Sequence, residues 1–428
     1  MTGRRFGPPL LPPGCAASAS RGAGIAIEAL STLLGSTVAV DAVALLGERA
    51  ALLGLGRRGR RSPGGSCRII QARDGWVAVN LPRPYDHDVL PALIEAPVTG
   101  GNWEALARWA RSVSADHVVD RAALLDVAAS RLPVGDGGGR RAPSRAPITL
   151  ASPRRAGVPG FGRCASARAG APLVVDLSSL WAGPLCANLL GLAGATVVKV
   201  ESLRRPDGAR LGSPAFYDLL HAGHASVALD FATPAGRRAL AALIETADVV
   251  IESSRPRALE QLGFDAAEQV ASRATTWVSI TAYGRSGPLA NRVGFGDDVA
   301  WAAGLAARER DGGAPLPCGD ALADPLAGVH AAAAAMAGLL GGGGWLIDVS
   351  MRDVLAATIG CRATPAVREP RPRRIAGRWS LDTEAGPIDV EAPRARTPHG
   401  RAARLGKHTR QMLAELVGER AARAACGV

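Results

Sequence analysis

Apolar residues from position 172 onward fall in short, β-branched runs set between longer segments with helical spacing. PLVVDLSS, ATVVKVES, SVALDF, DVVIES, TWVSITAY and WLIDVSM read as strands, and GPLCANLLGLAG and TPAGRRALAALIETA as helices, the second opened by Thr233 with Pro234 in its first turn. Strand and helix in alternation, joined by short connections, predict an α/β fold whose large domain is a Rossmann-like, mostly parallel sheet. Such sheets bind ligands beyond the carboxyl ends of their strands, which directs attention to the loops after residues 176, 201, 252 and 281.

The pattern before residue 134 differs. GIAIEALSTLLGSTVAVDAVALLGERAALLG reads as one or two helices, CRIIQARDGWVAVNL as two strands around the turn ARDG, and YDHDVLPALIEA, NWEALARWARS and DRAALLDVAASRL as further helices. Residues 1–133 are therefore expected to form a small α+β unit. Residues 134–171 are rich in Gly, Pro, Arg and Ser without hydrophobic period and read as a linker. The large domain is expected over 172–362, a second Pro/Arg-rich linker over 363–396, and a tail with a closing helix over 397–428.

Composition narrows the chemistry. With 428 residues, 47% of them hydrophobic but only 4% aromatic, and with 52 Gly and 30 Pro, the chain can build a core of small residues interrupted by many turns. The net charge of +12 comes almost wholly from Arg, Lys standing only at 199 and 407. That balance describes a solvated basic surface, and it fits an anionic small ligand better than nucleic acid. Seven scattered Cys (15, 67, 164, 186, 318, 361, 426) lack metal-ligand spacing, so no metal site is expected. The apolar run at the amino end is broken by Pro, and no uninterrupted apolar stretch reaches the roughly 18 residues of a spanning helix, so a cytoplasmic protein without membrane partners is expected.

Several motifs are decoys. GLGRRG (54–59) has dinucleotide-site spacing but follows a helical run rather than a strand, and reads as a basic turn. RRGRR (57–61) lacks interleaved aromatics and reads as a solvated loop. GGGG (341–344) reads as a helix-to-strand turn with Gly just past the helix end. Ser178, Ser179 and Ser226 lie near His221 and His224 without a G-x-S-x-G elbow, which argues against a serine hydrolase.

Four stretches taken in order carry a resemblance: VVDLSSLWAGPLCANLLGLAGATVVKVES (174–202), HAGHASVALDFATPAGRRALAALIETADVVIESSRPRALEQLGF (221–264), SITAYGRSGP (279–288) and GDALADPLAGVHAAAAAMAGLL (319–340). Together they resemble the family III CoA-transferases, the group of formyl-CoA transferase, carnitine CoA-transferase and α-methylacyl-CoA racemase. SCRIIQARDGWVAVNLPRPYDHDVLPALIE looks like that family's small domain placed before the large one, and LGKHT (405–409) resembles the family's C-terminal LGEHT.

The resemblance implies that Asp324 is the catalytic carboxylate of a transferase that moves CoA between an acyl-CoA and a carboxylic acid, through an aspartyl-acyl anhydride and an aspartyl-CoA thioester. It implies no tightly bound cofactor, with coenzyme A entering as acyl-CoA substrate, and a possible homodimer. From the residues alone, Asp324 before Pro325 is also an N-cap signature; the two readings are compatible, since a helix N-terminus can hold an ionised carboxylate. Asp320 matches no family position and reads as an ordinary loop residue. For the CoA phosphates the chain offers Lys199, Arg204, Arg205, Arg210 and Arg255 at strand-end loops, with Ala182, Gly183 and Pro184 letting backbone approach the ligand.

Three positions depart from the family pattern. Ser179 stands where a basic residue is usual, Trp181 where formyl-CoA transferase has a polar one, and His224 where a Lys is common. These departures keep open a non-catalytic acyl-CoA-binding relative. In GFGDDVAW, Asp297 stands where the racemase branch needs its His, which disfavours racemase chemistry.

Overall fold

A computed structural model of the chain describes residues 2–133, 146–152, 170–308, 313–359 and 370–426. Its large sheet has seven strands in the spatial order 148–151, 345–350, 276–281, 249–252, 173–176, 196–202, 225–229. The neighbours from 345–350 through 225–229 pair in parallel, and Ile148–Ala151 adds to one edge antiparallel. Leu173–Asp176, Val249–Glu252 and Thr276–Thr281 are buried along their whole length, as a sheet covered on both faces requires. The two-residue period then sorts side chains between two cores. Val174, Ile251 and Val278 face the helices Ala182–Leu192 and Ala323–Leu340, while Val175, Val250 and Trp277 face Pro234–Thr246 and Leu413 of the tail.

The expected α/β class and parallel sheet are thus observed. Connections run from Leu173–Asp176 to one side first and return to Val249–Glu252 on the other, so the order reverses between these two strands. Their carboxyl ends are stitched by a hydrogen bond from the Ser179 backbone N–H to Ser253 Oγ at 3.0 Å. GGGG behaves as read: Gly341 closes the long helix, Gly342, Gly343 and Gly344 take φ of 81°, 71° and 72°, and Trp345 starts a strand.

The small unit contains the antiparallel sheet Cys67–Ala72, Gly75–Asn80 and Ala128–Arg131, with Arg73 and Asp74 as the turn. Ile70, Val77 and Val79 face its own helices, whereas Cys67, Ile69 and Ala78 face Trp301 of the large domain. Four local readings change. DRAALLDVAASRL is not one helix: the helix ends at Leu124, Asp126 takes φ of 55°, and Ala128–Arg131 pairs with the hairpin. Helix Ala16–Leu33 does not belong to the small unit's core, because Ala16, Ala23 and Ile27 pack with Leu185 and Leu326. Ile148–Ala151, in a stretch read as linker, is the edge strand; residues 134–145 and 153–169 of that stretch lie outside the described residues. Arg371–Ile375, Arg378–Thr383 and Gly386–Asp389, also read as linker, form a three-stranded antiparallel sheet whose Pro and Arg content had hidden the alternation.

The long helix Ala323–Leu340 is apolar enough to cross a membrane, but 67% of it is buried in protein. It lies against Ala182–Leu192 at a distance only glycine permits, since a Cβ on Gly328 would stand 2.6 Å from the Ala182 carbonyl oxygen. Gly328→Val should therefore force the two helices apart and cost about 1–3 kcal/mol, seen as a lower thermal or denaturant midpoint. An unchanged midpoint would show that this contact is soft.

Candidate active site

Asp324 is the second residue of the long helix, not its cap. The cap position is Leu322, and no side chain caps this end. The chain enters the helix through Ala321, held at φ of 46°, whose carbonyl already accepts from the Asp324 backbone N–H at 2.9 Å. The first turn therefore closes before the Asp-Pro pair that suggested the start. Freed from capping, the Asp324 carboxylate packs against Gly296, whose N–H bonds to it and where any Cβ would overlap Oδ2. Residue 324 as a whole is only partly buried, while its carboxylate is packed against Gly296 and the neighbouring acids.

Asp320, read from the sequence as an ordinary loop residue, is fully buried in a two-pronged ion pair. Arg49 Nε donates to its Oδ2 at 2.7 Å and Nη2 to its Oδ1 at 2.6 Å. The same guanidinium lies 5.2 Å from the centroid of the Trp181 ring, which in turn meets Phe216 edge-on. Helix Gly296–Ala302 adds two more buried acids. Asp297 Oδ1 accepts from the Ala321 N–H at 2.8 Å, and Asp298 Oδ1 accepts from Asn80 Nδ2 and from the Phe295 N–H, both at 3.0 Å. Asp298 Oδ2 has no hydrogen-bond partner. Leu180 and Ala321, on either side of the cluster, hold left-handed backbone at φ of 71° and 46°, which costs of order 1–3 kcal/mol each in non-glycine residues.

Burial is the main force on these acids. It raises Asp324 to about 7, where Asp297 and Asp320 push the same way and Arg49 and the Gly296 N–H pull back. It raises Asp297 to about 6 against the pull of Arg49, and Asp298 to about 7 against its bonds to Asn80 and Phe295. Cys67, facing Asp297 and Asp298, is pushed up and stays a thiol. Arg49 gave no signal in sequence: within GERAALLG it is one charge on a short helix, and its partner lies 271 residues away.

The residues expected at the CoA phosphates do not all gather there. Lys199 is buried between Asp176 at 3.5 Å and Asp207 at 3.1 Å and donates to the Ser178 carbonyl, so its ammonium is spent inside the fold. Arg210 forks onto Glu201, with Nη2 to Oε2 at 2.5 Å, and Arg255 pairs with Asp126 at 2.5 Å. Arg204 pairs with Asp230 at 3.1 Å and remains exposed, as does Arg205 beside it. Ala182, Gly183 and Pro184 start their helix in buried positions, and Gly183 is required because a Cβ there would strike the Ser178 side chain. His221 has no partner on either ring nitrogen and burial holds it neutral; Ser178 bonds to Asp176 instead, so no serine–histidine pair forms among these residues.

Acids raised in the folded state hold protons that the unfolded chain has released. Their stabilisation is complete below the unfolded value near 3.8 and is lost as pH rises through about 6 to 7. Between pH 4 and pH 7 these acids should therefore lower the denaturation midpoint, in chemical or thermal melts, as they ionise, while His221 and His224, kept neutral by burial, act in the opposite direction. Asp298→Asn removes one of these acids while keeping the acceptor for Asn80 and Phe295, so it should raise stability at pH 8 by about 1–2 kcal/mol and shallow the slope.

Comparison with known proteins gives this cluster a context. The family model for CoA-transferase family III matches residues 172–387, just over half of the chain. Succinate–glutarate CoA-transferase of Agrobacterium fabrum is 30% identical over 205 residues, covering 44% of this chain and 51% of that protein. Human succinyl-CoA:glutarate CoA-transferase is 29% identical over 220 residues, 48% of this chain and 49% of its own. The chain spans about half the length of the curated relatives it matches. Among solved structures, a CAIB/BAIF family protein from Brucella suis is 25% identical, with a TM-score of 0.43 over 60% of this chain and 74% of that one. With its matched span covering the parallel sheet and the helix Ala323–Leu340, this chain belongs to the CoA-transferase family III.

Proposed function

We propose that the protein moves CoA between an acyl-CoA and a carboxylic acid with Asp324 as its nucleophile. One observation carries this reading: the Asp324 carboxylate, stripped of water by burial, is held by the Gly296 N–H near the amino end of an apolar helix, in a residue that is itself only partly buried. A poorly hydrated carboxylate is a stronger nucleophile than a solvated one, provided it is ionised.

In the first step an Asp324 oxygen bonds to the thioester carbonyl carbon as the carbon–sulfur bond breaks, leaving an aspartyl-acyl anhydride and CoA thiolate. The thiolate then attacks the Asp324 carbonyl, forms the aspartyl-CoA thioester and expels the donor acid. The incoming acid attacks that thioester and releases the thiolate again, and the thiolate takes the new acyl group from the second anhydride. Every step exchanges one leaving group for one nucleophile, so no oxidant or external proton carrier is needed. In this reading the CoA phosphates would be met by Arg204 and Arg205, which are exposed after Thr196–Ser202, rather than by Lys199, which Asp176 and Asp207 enclose.

Acyl-CoA incubated with the protein and hydroxylamine should leave a hydroxamate on the peptide that holds Asp324, read by mass spectrometry. Asp324→Asn should cut exchange of labelled acid into acyl-CoA by about a thousandfold or more; exchange at the wild-type rate would remove Asp324 from the mechanism. Because only the ionised form attacks, the trapping rate should climb from the acid side through pH of about 7 and level off above it.

A further inference from the structure

Helix Glu48–Leu52 carries two adjacent ion pairs. Glu48, fully buried, is gripped by Arg396 of the C-terminal segment: Nε meets Oε1 at 2.7 Å, Nη2 meets Oε2 at 2.9 Å, and the Arg396 backbone N–H meets Oε1 at 3.1 Å. Arg396 Nη1 also donates to Asn188 Oδ1 at 2.9 Å, which ties this short helix to Ala182–Leu192. The next residue, Arg49, forks onto Asp320 and covers the Trp181 ring. Gly64 leaves room for the guanidinium, since a Cβ there would stand 3.0 Å from Nη2.

We propose that Arg49 is a positioning residue for Asp324: anchored through Glu48 and Arg396, it fixes the Asp320 loop and Trp181 and supplies positive charge that offsets the acids crowded around the Asp324 carboxylate. Its role as a helper of catalysis rests on Asp324 being the nucleophile; the charge coupling does not. The groups that face Asp324 are Arg49 from its own short helix, Asp297 from Gly296–Ala302 together with the Gly296 N–H, and Asp320 from the preceding loop. Asp298 and the Cys67 thiol lie behind Asp297. Buried acids so close repel one another, and the guanidinium offsets that repulsion. A planar fork fixes Asp320 in orientation as well as charge, which a lysine ammonium cannot do.

The test follows the Asp324 carboxyl itself, in full-length unliganded protein, by carbon-13 NMR of labelled aspartate assigned with Asp324→Asn. Arg49→Met should raise the Asp324 midpoint by about one pH unit, and Asp320→Asn should lower it by a smaller amount. The double variant removes both charges of the pair and should fall between wild type and Arg49→Met, which also guards against a folding defect in the single ones. Arg49→Lys should hold the midpoint near wild type but loosen the Asp320 fork, lowering the trapping rate at saturating pH. In the active protein, the pH of half-maximal hydroxamate yield should move with the midpoint in each variant. If Arg49→Met and Asp320→Asn both leave the midpoint within about 0.3 unit of wild type, Arg49 does not set this charge and the proposal fails, even with hydroxamate still formed on Asp324. Shifted midpoints with no hydroxamate in wild type would instead keep the coupling and refute the nucleophile.

Discussion

The architecture depends on how closely the helix Ala323–Leu340 can approach Ala182–Leu192. A chain with 4% aromatic residues cannot fill wide gaps between helices, so it closes them with Gly and Ala. Gly328 against the Ala182 carbonyl brings the amino ends of both helices to one place, and with them Trp181 and Asp324. Ala16, Ala23 and Ile27 of the first helix pack into the same core. The site is thus a by-product of helix packing before it is a set of reactive groups.

Charge is handled throughout by enclosing acids with arginines. Glu48 with Arg396, Glu201 with Arg210, Glu252 with Arg285 and Asp320 with Arg49 are all buried carboxylates met by a guanidinium from another part of the chain. A guanidinium is easier to strip of water than an ammonium and satisfies both carboxylate oxygens at once. The abundance of Arg is therefore partly internal, but each such pair cancels in the sum, so the net charge of +12 is left to the rest of the chain. Lys199, enclosed by Asp176 and Asp207, belongs to the same economy.

What was legible in the sequence was what local pattern dictates. The fully apolar strands and the Thr233-Pro234 helix start are written in adjacent residues, and the hairpin turn at Arg73 and Asp74 likewise. The strand Ala128–Arg131 was missed because AAS is neutral between helix and sheet until Gly75–Asn80 offers a partner. Asp320 and Arg49 were missed for a different reason: nothing near either residue records a partner 271 positions away. The cap reading of Asp324 failed on one left-handed residue, Ala321, which no propensity predicts. Arg49 lies over the Trp181 ring, a contact that no residue near position 181 announces.

Helix Gly296–Ala302 joins two regions that otherwise share little. One end touches Asp324 through Gly296, while Trp301, near the other, is wedged against Cys67, Ile69 and Ala78 of the small sheet. Seven residues of helix span roughly 10 Å and do not bend over that length. The amide that holds Asp324 and the ring that closes the small sheet therefore sit on one short, stiff element.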